Sequence, residues 1–137
     1  MLRHFEHVGM TCSDLESTIT FYCGLLGLTE VLRKDTPGGR VVFLDAGGGM
    51  LEIVQPAGAV LSPAREIPPN EAGIRHLTLT VDDLAATYDR LIAAGVRFTE
   101  APRPAFNREI LSKVAFCLDP DGIVVELAER SKDRVSR

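Results

Sequence analysis

The fold is decided by a stretch that occurs twice, as His7-Val-Gly-Met-Thr-Cys-Ser-Asp14-Leu15 and as His76-Leu-Thr-Leu-Thr-Val-Asp-Asp83-Leu84. Each copy places a histidine at the head of an apolar-rich run, an Asp-Leu pair seven residues later, and then a segment with helical spacing. A strand followed by a capped helix explains this order, because Asp is a preferred residue at a helix N-cap. The repetition therefore predicts a duplicated strand–helix module.

Each copy continues with three apolar runs separated by turn signals, which predict three further strands. The predicted helices begin at a cap at residue 13 or 14 and at residue 82 or 83, and end near Leu26 and at Gly95. The predicted strands are 5–12, 29–34, 40–45 and 50–55, then 75–81, 96–100, 113–118 and 123–128. The predicted fold class is α+β: two tandem βαβββ modules whose curved mixed sheets are expected to form an open cup around a metal site.

The domain organisation is predicted to be a single domain over residues 1–137. It contains module one at about residues 4–55, a proline-containing connector at 56–72, module two at about 73–129 and a charged tail at 130–137. The predicted loop 101–112 is longer than its counterpart in the first module, and we expect it to act as a lid.

Composition excludes several classes of protein. The net charge is −4, and no basic cluster with interleaved aromatics indicates a nucleic-acid surface. No apolar run approaches the ~20 residues that span a bilayer, and the first residues lack the apolar core of a signal peptide. The three cysteines are odd in number and lie in apolar runs, which indicates reduced, packed thiols. We expect a cytoplasmic protein without nucleic-acid or membrane partners.

Four side chains are candidate metal ligands. Alternation along a strand places His7 and His76 on the faces that the apolar, helix-covered residues leave free. Glu52 and Glu126 each lie seven residues after an Asp, inside an apolar strand where an unpaired carboxylate is costly to bury. A single strand His or Glu usually has a structural role, but one imidazole and one carboxylate at equivalent places in both modules predict a shared site.

These residues, with Phe21-Tyr22 and the turn Asp119-Pro120-Asp121-Gly122, resemble the vicinal oxygen chelate superfamily. That superfamily includes glyoxalase I, methylmalonyl-CoA epimerase, extradiol dioxygenases, fosfomycin-modifying enzymes and bleomycin-binding proteins. The resemblance to glyoxalase I implies a ligand set of His7, Glu52, His76 and Glu126. The dioxygenases and fosfomycin enzymes imply only the two histidines and Glu126.

Two imidazoles and two carboxylates suit one divalent ion such as nickel, cobalt, zinc or manganese, with iron expected for a dioxygenase. Such an ion chelates two adjacent substrate oxygens and stabilises an enediolate as a proton leaves the neighbouring carbon. The resemblance implies Glu126 as the general base, and Glu52 can take the equivalent role at the other face of the reacting carbon.

The first functional hypothesis is a glyoxalase-I-like lyase or isomerase that acts on a glutathione adduct. The alternative is a methylmalonyl-CoA-epimerase-like isomerase that acts on a coenzyme A thioester. A ring-cleaving dioxygenase and a non-catalytic binding or resistance protein remain open. Arg40, Arg103 and Arg108 are candidate substrate-binding residues, and a homodimer is expected because such sheets leave edges and apolar faces to cover.

Overall fold

The computed structural model describes residues 1–62 and 67–132. The chain divides into two compact units, Met1–Pro63 and Ala64–Arg137, and the division falls within the predicted connector. Each unit contains a four-stranded sheet and one helical segment in the order βαβββ. The predicted fold class of two such modules is therefore confirmed.

Unit one is a mixed sheet with strand order β1-β4-β3-β2, in which β1 and β4 run parallel and the other neighbours antiparallel. Leu51 and Ile53 of β4 pair with Leu44 and Val42 of β3, and all four are buried on the face that the helix covers. The elements are β1 (His7–Thr11), α1 (Leu15–Ile19) continuing as a π-helix (Thr20–Leu25), β2 (Thr29–Thr36), β3 (Gly39–Asp45) and β4 (Met50–Pro56).

Unit two repeats this topology with strand order β5-β8-β7-β6, and β5 and β8 run parallel. Val125 and Leu127 of β8 pair with Cys117 and Ala115 of β7, and these four side chains are fully buried. The elements are β5 (Leu77–Thr80), α2 (Leu84–Ala93), β6 (Phe98–Pro104), β7 (Leu111–Leu118) and β8 (Val124–Arg130).

The first helix differs from the single α-helix that the sequence predicts. Its α-helical part ends at Ile19, and Thr20–Leu25 is π-helical. The wider turn lets the adjacent residues Phe21 and Tyr22 both be buried, whereas Ile19 is only half-buried. Gly27 ends the segment at a φ of 83°, as expected for a left-handed helix stop.

The predicted loop 101–112 is also shorter in the structure. β6 continues to Pro104, where Arg103 and Pro104 pair with Val114 and Lys113, so the connection spans only residues 105–110. The edge position of β6 and its two register shifts allow prolines within it, because an edge strand does not need every N–H.

In the structure, Asp14 and Asp83 are the N-cap residues of the two helices, at the second of the two positions predicted for each cap. The Asp83 carboxylate accepts a hydrogen bond from the Ala86 N–H at 3.0 Å. The Ser17 hydroxyl donates to the Asp14 carboxylate, and this bond holds the Asp14 pKa below its ordinary value.

The cysteines are free, as predicted. Cys12 and Cys117 are buried and Cys23 is half-buried. Burial raises the pKa of the Cys117 thiol to about 12, so this thiol stays protonated near neutral pH. In the described part of the chain, no helix is long and apolar enough to cross a membrane.

In each unit, the first N–H of the helix also donates a hydrogen bond to a side chain of the last strand. The Leu15 N–H donates to Gln55 Oε1 at 2.7 Å, and the Leu84 N–H donates to Glu129 Oε2 at 2.6 Å. These bonds tie the helix to the sheet and satisfy an N–H that has no partner within the helix.

Replacing Glu129 by Ala is therefore expected to lower the free energy of unfolding by about 1–2 kcal/mol. Glu129→Gln should retain most of the stability, because Gln55 makes the same bond in unit one. Urea unfolding of the three proteins measures this difference. Equal losses for Ala and Gln would contradict the role of the hydrogen bond.

Candidate functional site

Unit two brings His76 and Glu126 into direct contact. His76 immediately precedes β5, and its Nε2 lies 2.8 Å from Oε2 of Glu126 in β8. Thr78 is the parallel-pair partner of Glu126, and its hydroxyl donates to the same Oε2 at 3.2 Å. Glu126 is only 7% exposed, so these two bonds satisfy a carboxylate that would otherwise be costly to bury.

An aromatic side chain and a cation adjoin this pair. Phe116 is the antiparallel partner of Glu126, and its ring meets the His76 ring edge-on with centroids 5.3 Å apart. The Arg103 guanidinium lies 5.7 Å from the Phe116 centroid and 5.0 Å from that of the exposed Phe106. Arg103 is thus a cation on the sheet face that carries Glu126.

Unit one places the equivalent residues on one face of its own sheet, without the direct contact between imidazole and carboxylate. Glu52 pairs with Gly9 across β1 and β4 and with Phe43 across β3 and β4, so the three share one face. His7, two residues before Gly9, lies on that face and meets the Phe43 ring edge-on with centroids 5.7 Å apart. Both predicted imidazole–carboxylate combinations are therefore brought to one face of their own sheet.

The two pairs are not identical. His7 Nδ1 lies 3.7 Å from Glu6, and no ion pair joins His7 to Glu52 in the described residues. Gly9 stands where unit two has Thr78, and a Cβ built on Gly9 would lie 3.8 Å from Glu52 Oε1. Glu52 accordingly lacks a counterpart of the Thr78 hydroxyl.

The donor atoms in each unit are an imidazole nitrogen and a carboxylate oxygen, a combination that suits borderline divalent ions. His76 Nε2 and Glu126 Oε2 are close enough for a small shift to let both approach one ion. Across residues 1–62 and 67–132, no three His, Cys, Asp or Glu side chains form a metal-binding group. Each unit therefore offers one pair of donor residues that fits a divalent ion, and a four-ligand site stays a prediction.

The structure separates the three candidate substrate-binding arginines. Arg103 lies on the Glu126 face and is held by an ion pair with Glu100 at 2.7 Å. Arg40 lies on the opposite, helix-covered face of its sheet from Glu52. Its Nη2 donates to Glu16 at 2.7 Å, and this bond raises its pKa. Arg108 is exposed in the 105–110 connection.

Sequence reasoning assigned no site role to Thr78 or to the two phenylalanines. A signal for the two phenylalanines was present, because Phe43 lies two residues before Asp45 and Phe116 lies three residues before Asp119. Strand alternation with Val42 and Leu44 could also have placed Arg40 on the helix face. The Thr78 bond had no such signal, since it depends on pairing between distant strands.

Comparisons with known proteins identify the family of this chain. A model of the family described as the glyoxalase/bleomycin resistance protein/dioxygenase superfamily matches residues 4–127. The chain is 26% identical over 132 residues to a probable lactoylglutathione lyase of Synechocystis sp. (strain ATCC 27184 / PCC 6803 / Kazusa). That match covers 93% of this chain and 96% of the relative.

Two further relatives are similar along almost the whole chain. An ethylmalonyl-CoA/methylmalonyl-CoA epimerase of Cereibacter sphaeroides is 30% identical over 135 residues, covering 94% of this chain and 99% of the relative. The crystal structure of a glyoxalase family protein from Enterococcus faecalis has a TM-score of 0.72 and 28% identity. It covers 93% of this chain and 98% of that one.

Proposed function

This chain belongs to the glyoxalase/bleomycin resistance protein/dioxygenase superfamily, and we propose on that basis that it is a divalent-metal-dependent lyase or isomerase of the glyoxalase I type. The proposed reaction is a proton transfer at one carbon of a small-molecule substrate. This carbon neighbours a pair of substrate oxygens that are adjacent to each other. The similar lactoylglutathione lyase supports a glutathione adduct as the substrate class.

The observation that carries this proposal is the imidazole–carboxylate combination found on the same sheet face in each unit. His76 and Glu126 form it in unit two, and His7 and Glu52 form it in unit one. A duplicated pair of this kind fits one divalent ion held by both pairs, contributed by one chain or by two copies of a homodimer.

Each residue then has a defined task. His7 and His76 offer imidazole nitrogens as ligands, and the Phe43 and Phe116 rings restrict how these imidazoles turn. The bound ion supplies Lewis acidity that stabilises negative charge on a substrate oxygen. One of the two carboxylates, Glu126 or Glu52, takes the proton from the reacting carbon and returns it.

The Arg103 guanidinium supports binding of an anionic substrate group. It lies on the Glu126 face, and within the described residues its Nη2 makes no hydrogen bond. A carboxylate or phosphate of a glutathione or coenzyme A moiety has the charge that such a group binds. Arg108 remains a candidate in the adjoining connection. Arg40 is not included, because it is bonded to Glu16 on the other face.

An epimerase that acts on an acyl-CoA is the second candidate. The epimerase relative is 30% identical and covers nearly the full length of both chains. The same carboxylates would move a proton at the carbon beside the thioester carbonyl, so the two candidates differ in substrate and not in site. Solvent deuterium incorporation into a methylglyoxal–glutathione hemithioacetal or into methylmalonyl-CoA separates them.

Elemental analysis of the purified protein, before and after chelation and refilling, tests the metal requirement. We expect about one equivalent of nickel, cobalt, zinc or manganese per chain, which is one ion for the two imidazole–carboxylate pairs. His7→Ala and His76→Ala should lose it, whereas His4→Ala should keep it, because His4 is exposed and outside both pairs.

Each other result has a clear meaning. Retention of iron would favour the ring-cleaving dioxygenase. Failure to bind any of these ions after refilling would contradict the proposed enzyme and favour a non-catalytic binding or resistance protein.

A further inference from the structure

The connection between β6 and β7 carries an aromatic ring that stands in solvent. Phe106 is 90% exposed, although the backbone around it is fixed by hydrogen bonds. The Ala105 N–H donates to the Ser112 carbonyl at 3.1 Å, and the Ile110 N–H donates to the Asn107 carbonyl at 3.0 Å. A single exposed apolar side chain is common on protein surfaces, so exposure alone does not indicate a ligand. A ligand is indicated here by what surrounds the ring.

Ser131, which follows β8, holds the same connection. Its N–H donates to the Ile110 carbonyl at 3.1 Å, and its hydroxyl donates to the Arg108 carbonyl. The Phe106 ring is therefore attached to a backbone that is bonded at both ends of the connection. A group whose position is fixed before binding loses less conformational entropy when a ligand packs against it.

Arg103 places a cation against this ring. Its guanidinium carbon lies 5.0 Å from the Phe106 centroid and 5.7 Å from the Phe116 centroid, within the range of a cation–π contact for both. Its Nε donates to Glu100 at 2.7 Å and its Nη1 donates to the Pro104 carbonyl at 3.2 Å, which fix the group. Within residues 1–62 and 67–132, Nη2 makes no hydrogen bond. A fixed guanidinium with free N–H groups can bind an anion.

The Arg103–Phe106 pair adjoins the proposed site within unit two alone. Arg103 contacts the Phe116 ring, and that ring meets the His76 ring edge-on with centroids 5.3 Å apart. His76 in turn contacts Glu126. A ligand group that packs on Phe106 therefore lies beside the imidazole–carboxylate pair of the same sheet, and no residue of unit one is needed to form this contact.

We propose that Phe106 and Arg103 form a subsite for a nucleotide, in which the base stacks on the Phe106 ring and a phosphate binds the Arg103 guanidinium. Every nucleobase has a planar π-face that stacks on an aromatic side chain. The guanidinium is the side chain whose donor geometry matches phosphate best. The chain carries a net charge of −4, so an anionic ligand depends on a local cation of this kind.

This inference rests on the proposed function for the reaction that the subsite serves, and it separates the two candidate substrates. An acyl-CoA thioester carries an adenine base and phosphates, whereas a glutathione adduct of methylglyoxal carries carboxylates and no planar ring. Two sources can supply the nucleotide: the coenzyme A part of the substrate, or a separate nucleotide bound next to a different substrate. The chemistry recognised by Phe106 and Arg103 is the same in both cases.

Calorimetric titration of the whole chain with adenosine 3′,5′-bisphosphate tests the subsite, because this probe has the base and the phosphates but no thioester and needs no metal. We expect saturable binding. Adenosine lacks the phosphates and inorganic phosphate lacks the base, so each should bind at least about tenfold more weakly. Glutathione, which offers carboxylates without a base, should also bind more weakly than the bisphosphate.

Matched variants assign this binding to the two side chains. Phe106→Ala should weaken binding of the bisphosphate by about fivefold to a hundredfold, the usual contribution of one stacked base, whereas Phe106→Tyr keeps a ring and should stay near wild type. Arg103→Ala should weaken the bisphosphate and inorganic phosphate but not adenosine. Phe5→Ala removes another exposed phenyl ring, 60% exposed and in unit one, and should change nothing.

Competition identifies the source of the nucleotide. Inhibition of proton exchange on methylmalonyl-CoA by the bisphosphate, with a raised KM and an unchanged kcat, would assign the subsite to the coenzyme A part of the substrate. Binding of the bisphosphate without any effect on exchange of the accepted substrate would assign it to a separate nucleotide. Both results support the subsite, and they differ only in what carries the base.

Other outcomes would overturn it. Wild-type protein that does not bind the bisphosphate, or that binds it no better than Phe106→Ala does, would leave the ring without this role. A lower sedimentation mass of Phe106→Ala, with no nucleotide bound by either protein, would assign the ring to a contact between copies of the chain. A protein that binds the bisphosphate but no divalent metal would contradict the proposed function and leave the subsite standing. Thermal unfolding of each variant confirms that it is folded.

Discussion

Replacing Glu52 by Gln is expected to lower the rate of proton exchange at the substrate carbon by about 10²–10⁴-fold, the usual contribution of a general base. An amide of the same shape keeps an oxygen for metal binding but cannot accept the proton at neutral pH. Because Glu52 is half-buried and its carboxylate makes no hydrogen bond among the described residues, the fold should be little affected. Deuterium incorporation measured by NMR, together with metal content, tests this expectation.

Glu126→Gln provides the matched comparison. It should weaken metal binding as well as exchange, because the charge that Thr78 and His76 hold in place is lost. Glu71→Gln, at an exposed position away from both pairs, controls for a general effect of losing one negative charge. Wild-type exchange rates in metal-loaded Glu52→Gln would exclude Glu52 as the base and leave that role to Glu126.

The largest expected loss of stability comes from Leu127→Ala. Leu127 is fully buried in β8, where its pairing partners are Leu79 of β5 and Ala115 of β7. Removing its side chain loses transfer free energy and leaves a cavity, which together cost about 2–5 kcal/mol. That is a large fraction of the ~5–15 kcal/mol that stabilises a typical domain.

Urea unfolding of Leu127→Ala against Leu61→Ala measures this cost. Leu61 is 68% exposed, so its truncation should change the free energy of unfolding by less than about 0.5 kcal/mol. Similar values for the two variants would show that β8 is not part of a cooperative core. The neighbouring Glu126 makes the result relevant to the site, because the same strand carries both residues.

Much of the site could be predicted from sequence because the relevant signals are local. The repeated His…Asp-Leu pattern identified both modules, and strand alternation placed His7 and His76 on the face opposite the helix. The structure confirms the two βαβββ modules and shows Glu52 and Glu126 on the expected strands. The four-ligand arrangement, the metal and the dimer stay predictions.

Other features depend on residues that are distant in sequence. The sequence did not predict that Gln55 and Glu129 would cap helices in their own units, because a strand residue and a helix start meet only after the sheet forms. The π-helix likewise follows from packing, since it allows two adjacent aromatic residues to be buried together. The length of β6 was underestimated because its prolines are tolerated only at a sheet edge.

The amino-acid sequence by itself determined the duplicated modules, the strands that carry His7, Glu52 and Glu126, and the sheet face on which the candidate ligands lie. Periodicity and caps act over a few residues and can be read from the chain alone. Only the tertiary structure decided which side chains support the two carboxylates. The Thr78 hydroxyl donates a hydrogen bond to Glu126, whereas Gly9 offers Glu52 no such donor. The position of Arg103 beside Phe116 was likewise decided by the tertiary structure. The physical reason is strand register, which brings together residues far apart in the chain and is fixed only when the sheet assembles.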